Sequence, residues 1–500
     1  MKLLAYLLEN NLEKTVAFAP VEIFSITNNS RDVTKNSLFL AYPGEKSDGR
    51  KYIPQAIVQG ATAICYEPSD DFIVENATIP CVPIKNLKIT QSEIAARFYD
   101  FPSEKIPVIG VTGTNGKTSI THFIAQALNV SIEDEKKSRC GIIGTVGYGF
   151  LPELKKSINT TPDGSQLQKM FFDMVSEGAN TIAMEVSSHA LAGQRVNDVQ
   201  FHTAVFTNLT QDHLDFHITM EKYRDAKELL FQQKGLQYAV INIDDDAGKY
   251  YAEKYKQLLT VITYSLNDKN ADIFAKKCVP LLKGFDVHVK TPWGEGEFQC
   301  PLIGQFNIAN VLAVLGVLGT LKTPFTDILK KLSQLKTVHG RMQLFHQENK
   351  PHVIVDYAHT PDALEKALES VRAHCAGKLI CVFGCGGDRD KTKRPLMGYI
   401  AEQLADHIII TNDNPRGENP DQIAQDILRG AVHKNKFSVE LDRTQAIEKA
   451  IQTADKNDWI LVAGKGHETE QIIRDKVLHH NDGEVVQHQL KSPSRQNKKL

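Results

Sequence analysis

Cysteine is sparse in this sequence and never closely paired. Eight cysteines are spread over 500 residues with no C-x-x-C, the nearest two being Cys381 and Cys385, so neither a disulfide framework nor a zinc knuckle is indicated and a reduced, cytoplasmic compartment fits best. A charge excess of one sign is missing too. Lys+Arg 58 against Asp+Glu 60 leaves a net charge of −2, which removes the positive field that draws a chain to nucleic acid or to an anionic membrane. No apolar stretch approaches the roughly 18 residues needed to span a bilayer, which argues against membrane insertion. The opening "MKLLAYLLENNLEK" has a short apolar run broken by Glu9 and no small-residue cleavage pattern, so it predicts a first amphipathic helix rather than a signal peptide. No fixed-period repeat is visible, which argues against solenoids and propellers. The partners that remain are small molecules.

What is present is one arrangement used eight times: an apolar run rich in Val and Ile, a cluster of Gly, Asp, Asn, Thr or His, and then helical sequence. It occurs in "IPVIGVTGTNGKT", "TIAMEVSSHA", "TAVFTNLTQDHLD", "YAVINIDDD", "HVIVDYAHTPDAL", "LICVFGCGGDRDK", "HIIITNDNPR" and "WILVAGKGHE". Such runs read as buried parallel strands, and in open α/β sheets ligands bind at the strands' carboxyl ends. The fold class is therefore α/β, and at roughly 150 residues per domain the length predicts about three domains. Residues 1–95 read as a small N-terminal α/β domain without a phosphate loop, 96–335 as a central domain with a mostly parallel sheet, and 336–490 as a C-terminal Rossmann-like domain. The tail 491–500, "KSPSRQNKKL", is basic and aperiodic and reads as disordered.

"GVTGTNGKTS" (110–119) joins a strand to a helix in which Ile120, Phe123, Ile124, Ala127 and Leu128 share one face. Free backbone N–H groups of Gly113, Thr114, Asn115, Gly116 and Ser119 at that helix start would face an anion. Lys117 would reach the β/γ-phosphates and the Thr118 hydroxyl would coordinate Mg²⁺. Val111 stands where the first glycine of the usual G-x-x-x-x-G-K-S/T motif belongs. The competing reading, a glycine turn that only packs helix on strand, loses because strand, turn, Lys-Thr and helix coincide. A GTP switch is disfavoured because the guanine-reading N-K-x-D pattern is absent. A motor is disfavoured because no apolar run ends in Asp-Glu, although "NTIAMEV" puts Glu185 at a strand end where a Mg²⁺-associated carboxylate belongs.

Taken with that loop, "NTTPDG" (159–164), "AMEVSSHAL" (183–191), "TNLTQDHLDFH" (207–217), "GQFNIANVLA" (304–313), "DYAHTPDAL" (356–364) and "GCGGDRDKTKRP" (384–395) resemble the Mur ligases of peptidoglycan synthesis. Within that family "DNPR" at 413–416 resembles the members that add diaminopimelate. The resemblance covers nearly the whole chain and implies three domains binding a UDP-sugar, ATP and the incoming amino acid. It implies ATP-driven amide formation: phosphoryl transfer to the D-Glu carboxylate of UDP-MurNAc-L-Ala-D-Glu, then attack of an amine on the acyl phosphate, with ATP as co-substrate and Mg²⁺ as cofactor. A carboxylate meeting ATP brings anions together, so a lysine and a metal are needed to offset the repulsion.

Carried over by motif, the resemblance gives Lys117, Glu185, His213 and Lys227 catalytic roles, with Thr118 and Glu185 holding one Mg²⁺ and His213 contributing to a second. Lys227 matches the family lysine that becomes carboxylated, turning a cation into a metal ligand, although a helical lysine is ordinarily a solvated surface charge. Asn310, Arg341, Asp356 and His359 are implied to hold the nucleotide. Asn28, Ser30, Glu45, Lys46 and Ser47 are implied to hold the uridine nucleotide, and Asn159, Thr160, Thr161, Ser187, Gly193 and Arg195 the muramoyl dipeptide. Several of these are hydroxyl or amide side chains that commonly serve as helix caps. The chain departs from the family pattern at Asn29, where Asp is usual, at Gly193, where Gln is common, and at Ile218, where Gly is usual.

Arg389, Asp413, Asn414, Pro415, Arg416, Gly464 and Glu468 are implied to contact diaminopimelate. That substrate differs from lysine by one distal carboxylate, and a guanidinium at 416 can grip it through two parallel bonds. Lysine would leave the charge unpaired. A lysine-adding ligase, which typically lacks this arginine, and a nucleotide-dependent regulatory protein without catalysis are the alternatives; the set Lys117, Glu185, His213 and Lys227 disfavours the second. A monomer is expected, and the three-domain plan implies closure of the C-terminal domain during the reaction.

Overall fold

The computed structural model describes residues 1–9, 11, 20–44, 47–72, 74, 77–129, 139–157 and 159–492. The chain divides into two units, Met1–Thr263 and Tyr264–Leu500.

The first unit begins with a parallel sheet in the order Ser25–Thr27, Ser37–Ala41, Ala61–Tyr66, Cys81–Pro83. Ser37–Ala41 is buried on both faces, which is why it reads as a continuous apolar run rather than an alternating one. The opening residues are not an extended amphipathic helix. Lys2–Leu3 pairs antiparallel with Glu22–Ile23 and only Leu4–Leu7 is helical, because Leu4, Leu7 and Leu8 pack into one core with Leu38, Leu87 and Ile94; Asn10 and residues 12–14 of that stretch lie outside the described residues.

The same unit holds five parallel strands in the order Cys140–Ile143, Thr181–Glu185, Val108–Thr112, Thr203–Phe206, Tyr238–Asn242. Two short antiparallel strands, Tyr148–Gly149 and Leu154–Lys155, extend one edge. Val108–Thr112 is central, with Glu185 in register with Val111 and Phe206 with Thr112. The residues that follow these strands therefore emerge side by side at one edge of the sheet. Four of the predicted runs form strands here; Cys140–Ile143 was not among them, since its flanking "CGIIGT" is short and rich in glycine.

The second unit contains the antiparallel strands Ile273–Leu281, Gly284–Thr291 and Gly294–Cys300, followed by helices Gln305–Thr320 and Phe325–Leu332. Its larger sheet runs in the order Gln343–Phe345, His352–Asp356, Trp459–Ala463, Leu379–Phe383, His407–Ile410, Phe437–Val439. All pairs are parallel except the first. Apolar clusters cover both faces, one around Leu368, Phe383 and Met397, the other around Val355, Ile447 and Val486. Helix Asp482–Lys491 contributes Val486 and Leu490 to the second cluster, and the Ser492 carbonyl accepts a bond from Lys350 Nζ at 2.9 Å. Order thus reaches Ser492, beyond the predicted start of the tail at 491; residues 493–500 lie outside the described residues. The eight cysteines are free thiols, and among the described residues no helix is long and apolar enough to cross a membrane.

An ion pair without solvent contact ties that last helix to the sheet. Arg443 Nε and Nη2 reach the two oxygens of Asp482 at 2.7 Å each, with both side chains fully buried. Arg443 also donates to the carbonyls of Asn412 and Ala463, and His480 Nε2 lies 2.9 Å from Asp482 Oδ1. Burial alone would raise the Asp482 pKa, but the guanidinium and His480 hold it well below the usual carboxylate range. The stability this contributes is fully present above the ordinary carboxylate pKa of about 4 and is lost as pH falls towards the lower folded value. Asp482→Ala leaves a buried unpaired guanidinium and is expected to cost about 3–5 kcal/mol, measured as a lower urea midpoint at pH 7 and a smaller loss of stability on acidification than in the parent.

Candidate active site

The phosphate loop is pinned from the neighbouring strand's loop. Gly113 has φ +145°, and a Cβ there would lie 1.8 Å from Thr207 Oγ1, so only glycine fits this approach. Thr114 N donates to Asn208 O at 2.8 Å and Asn115 N to Asn208 Oδ1 at 3.0 Å, while Thr207 Oγ1 donates to Asn115 O at 2.6 Å. Gly116 O accepts the first helical bond, from Ile120 N, and helix Lys117–Asn129 begins with Thr118 and Ser119 buried. Lys117 Nζ folds back onto the carbonyls of Gly113 and Thr114, at 2.8 Å each. Strand, loop and helix thus hold the predicted residues in one cradle.

Glu185, 1% exposed, meets this cradle: Thr118 Oγ1 donates to its Oε1 at 3.0 Å. Thr145, absent from the predicted set, clamps the carboxylate through its N–H at 2.8 Å and its hydroxyl at 3.2 Å. A hydroxyl and a carboxylate side by side are hard oxygen donors and suit Mg²⁺, which completes its shell with water and phosphate oxygens. No group of three or more His, Cys, Asp or Glu placed to hold a metal ion occurs among the described residues, so the fit is to a metal shared with a phosphate ligand rather than to an all-protein cage.

Lys227 is 1% exposed on helix Met220–Glu228, not the solvated charge its helical position alone suggests. Its Nζ lies 4.2 Å from the Tyr223 ring centroid. Burial holds its amine pKa well below the usual value, and the Lys117 charge lowers it further. Tyr223 stacks on His217 at 5.0 Å, and its hydroxyl lies 3.2 Å from Thr114 Oγ1 in the phosphate loop. His213 sits 4.9 Å from His189 and 6.0 Å from Tyr223, ring to ring; burial lowers its pKa. His217, pushed down to about 4 by burial and by the charges of His189 and Lys227, bonds Ser188 Oγ at 2.9 Å as a neutral ring.

The dipeptide set also converges on Glu185. Thr161 Oγ1 donates to the Glu185 carbonyl at 2.9 Å and accepts from Ser187 N at 3.1 Å. Arg195 Nη1 donates to Thr161 O at 3.2 Å. Thr160 Oγ1 is 3.0 Å from Thr145 Oγ1, and Asn159 O accepts from Ser157 Oγ. Ser187 caps helix Ser188–Ala192, which Gly193 ends. Asn28 Nδ2 donates to Tyr42 Oη at 2.9 Å and to Gln91 Oε1 at 3.2 Å. Tyr42, its pKa raised by burial, lies within electrostatic reach of Asp163 and Arg195. Ser30 is buried at the start of a short helical turn, and Ser47 O accepts from Gly44 N. Glu45 and Lys46 lie outside the described residues.

In the second unit, Asp356 spends both carboxylate oxygens on backbone, accepting from Met342 N at 2.7 Å and Ala358 N at 2.8 Å. Arg341 lies over the Tyr357 ring at 4.4 Å, with a buried Nε that has no hydrogen-bond partner among the described residues. His359 Nδ1 is 2.8 Å from Tyr357 O. Asn310 is buried on helix Gln305–Thr320 and donates to Asn307 Oδ1 at 3.0 Å. A stacked guanidinium with an unsatisfied buried N–H is a site for an anionic ligand.

The "DNPR" loop is held against "GCGG". Arg416 Nη1 donates to Gly387 O at 2.9 Å and Gly387 N to Asn414 O at 2.9 Å, an approach so close that a Cβ on Gly387 would fall 1.9 Å from Pro415 O. The Nε–Nη2 edge of Arg416 has no partner among the described residues, and that edge presents two parallel N–H groups. The loop is anchored by Arg394, fully buried, which binds Glu418 through two bonds of 3.0 Å and Asp426 through one of 2.9 Å. Arg394 lowers the Glu418 pKa to about 2. Arg389 is exposed beside this loop, Asp413 O accepts from Gln471 Nε2, and Gly464 N donates to Asp356 O at 3.1 Å. Glu468 Oε2 accepts from Asn414 Nδ2 at 2.9 Å and from the buried Lys465 at 2.8 Å.

Several participants were outside the predicted set: Thr145, Thr207, Asn208, Tyr223, Asp245, whose Oδ2 accepts from Leu209 N at 2.8 Å, and Lys465. Asn208, Asp245 and Lys465 stood inside or beside the polar strand-end clusters, the signal that could have found them.

Three family models match in order: one described as Mur ligase family, catalytic domain, at residues 22–99; Mur ligase middle domain at 111–318; and Mur ligase, glutamate ligase domain, at 340–466. The chain is 52% identical over 476 residues to UDP-N-acetylmuramoyl-L-alanyl-D-glutamate–2,6-diaminopimelate ligase of Coxiella burnetii, covering 94% of this chain and 96% of that one. It is 46% identical over 457 residues to the protein of that name from Pseudomonas aeruginosa, covering 91% and 92%. A solved structure of a UDP-N-acetylmuramoyl-L-alanyl-D-glutamate–2,6-diaminopimelate ligase superposes with TM-score 0.71 at 31% identity, over 98% of this chain and 99% of that one. The MurF ligase from Thermotoga maritima, solved in complex with ADP, shares the fold with TM-score 0.65 at 18% identity, over 89% and 94%.

Ile218 ends the short helix Leu214–His217 with φ +70°, a conformation that costs a β-branched residue about 1–3 kcal/mol, and its side chain is 69% exposed, so little packing opposes replacement. Ile218→Gly removes the strain at a backbone-entropy cost of about 0.5–1 kcal/mol. A net gain of about 1 kcal/mol is expected, measured as a higher urea midpoint; a lower midpoint would show the conformation to be unstrained.

Proposed function

The chain belongs to the Mur ligase family, and we propose that it joins meso-2,6-diaminopimelate to the D-glutamyl carboxylate of UDP-N-acetylmuramoyl-L-alanyl-D-glutamate, converting ATP to ADP and phosphate. Relatives at 52% and 46% identity carry that name over more than nine-tenths of the chain. The observation that carries the choice of amino acid is Arg416, whose Nη1 is tied to Gly387 O while its two-pronged edge stays open towards a distal carboxylate.

The D-glutamyl carboxylate attacks the γ-phosphorus of ATP and ADP leaves. The amino group of diaminopimelate then attacks the acyl carbon, expelling phosphate and giving up a proton. Lys117, now bonded to loop carbonyls, swings to the terminal phosphate oxygens, where a cation offsets repulsion between the carboxylate and the nucleotide. Gly113, Thr114, Asn115, Gly116 and Ser119 supply the backbone cradle. Thr118 and Glu185 would hold one Mg²⁺, and His213 with a carboxylated Lys227 a second; the metal, when bound, neutralises phosphate charge. A buried amine with a depressed pKa gives up its proton more readily than a solvated lysine, and the neutral form is the one that reacts with CO₂. Thr160, Thr161, Ser187 and Arg195, gathered around Glu185, present donors to the dipeptide, and Asn28, Ser30 and Ser47 line the uridine side. Arg341, Asn310 and His359 serve the nucleotide, with Asp356 shaping the turn between them; Arg389, Asp413, Asn414, Arg416, Gly464 and Glu468 serve the amino acid. The gaps between the three family models, 100–110 and 319–339, support three domains, with the first division somewhat beyond 95 and the second near 335. A cytoplasmic, monomeric enzyme fits these substrates.

Phosphate release should require UDP-muramoyl-dipeptide and diaminopimelate together; release that is independent of either would overturn the reading. Arg416→Ala is expected to lower kcat/KM for diaminopimelate by about 100-fold or more, the loss of a charge-assisted two-bond contact, with any turnover of lysine much less affected. Lys227→Met should abolish both turnover and the carbamate carbon signal that ¹³C-bicarbonate gives the parent; a signal that persists in the variant would place the carboxylation elsewhere.

A further inference from the structure

Lys465 belongs to the "AGKGHE" strand end, yet neither the phosphate chemistry nor the contacts assigned above use it. Its side chain is fully buried, an unusual place for an ammonium because desolvation costs several kcal/mol unless the charge is answered. Two acceptors answer it: Glu468 Oε2 at 2.8 Å and Asn414 Oδ1 at 3.2 Å. Asn414 Oδ1 also accepts from Ile472 N at 2.9 Å, so two donors fix the amide with its carbonyl towards Lys465 and Ile472 and its NH₂ on the other side. One Nδ2 hydrogen goes to Glu468 Oε2 at 2.9 Å. Glu468 Oε2 is thereby saturated by two donors, while Oε1 has no partner among the described residues and the side chain is 32% exposed.

The triad is left with one amide N–H, on the nearly buried Asn414, and one carboxylate oxygen, on the part-exposed Glu468, that have no partner among the described residues. An amino-acid centre presents the complementary pair, a carboxylate and an ammonium on one carbon. We propose that Lys465 is a positioning residue for the amino-acid substrate: from beneath, it fixes the amide of Asn414 and the carboxylate of Glu468 in the one arrangement that reads a zwitterionic centre. The proposal rests on the reading of this loop as the diaminopimelate site. A cation there also serves Glu468 better than an apolar residue of equal volume would, because it holds the carboxylate in orientation without covering its outer oxygen.

Lys465→Met keeps the volume and removes the donor. The expected result is an increase of about 10- to 100-fold in KM for diaminopimelate, with kcat and the KM values for ATP and UDP-muramoyl-dipeptide within about twofold of the parent. Lys465→Gln, which retains one donor, should fall between, and remains informative if the methionine variant folds poorly. In a Glu468→Gln background Lys465→Met should add little further, since the two act as one unit. An unchanged KM for diaminopimelate, fully additive effects in the double variant, or a parallel loss in all three KM values together with a lower urea midpoint would overturn the proposal. A parent protein that uses no diaminopimelate at all would instead overturn the function on which it rests.

Discussion

Charge buried at the carboxyl ends of parallel strands must be answered within the protein, and this requirement organises both units. Continuous apolar strands leave no water beside the sheet, so every cation at its edge needs a carbonyl or a carboxylate within bonding distance. Lys117 takes two loop carbonyls, Arg394 takes Glu418 and Asp426, Arg443 takes Asp482, and Lys465 takes Glu468 with Asn414. Each pairing also fixes a loop. Arg394 and Arg443 bond to carboxylates within the protein, and one of the segments they tie down is the loop that carries Arg416. Lys227 differs from these: its Nζ lies over an aromatic face, and burial holds its amine pKa well below the usual value.

The strand ends were legible because a run buried on both faces has to be apolar throughout, and polar residues can resume only where the strand leaves the sheet. All eight runs read this way became parallel strands. Cys140–Ile143 escaped because four residues with a glycine make too short a run, and the meander of 273–300 escaped because antiparallel strands with one wet face alternate instead. The opening helix forms only over Leu4–Leu7, with its leucines in the core as helical spacing predicts, while Lys2–Leu3 is drawn into a strand pair instead.

The site divided along a similar line. Residues whose charge suits phosphate, metal or carboxylate, such as Lys117, Glu185 and Arg416, stand out by type and place. Residues that aim them do not. Thr145 is an ordinary threonine in sequence, and only the fold shows its N–H and hydroxyl on the Glu185 carboxylate. Tyr223 looks like a helix-face aromatic, although it touches the phosphate loop with its hydroxyl and Lys227 with its ring. Asp356 carries the opposite lesson: a strand-end aspartate that invites a ligand role uses both oxygens to shape its own turn.

Gly340 and Gly466 meet backbone to backbone, so that a Cβ on the first would fall 2.1 Å from His467 N and one on the second 2.5 Å from Gly340 O. The segment between them is therefore a closed ring in three dimensions, fastened by two residues with no side chain. Closing so long a ring is entropically slow, and the clasp cannot form until Trp459–Ala463 has slotted between its two earlier neighbours. The loop bearing Lys465 and Glu468 should thus be among the last parts of this unit to take shape during synthesis. Arg341, next to Gly340, therefore reaches its final surroundings together with Lys465 and Glu468 rather than ahead of them.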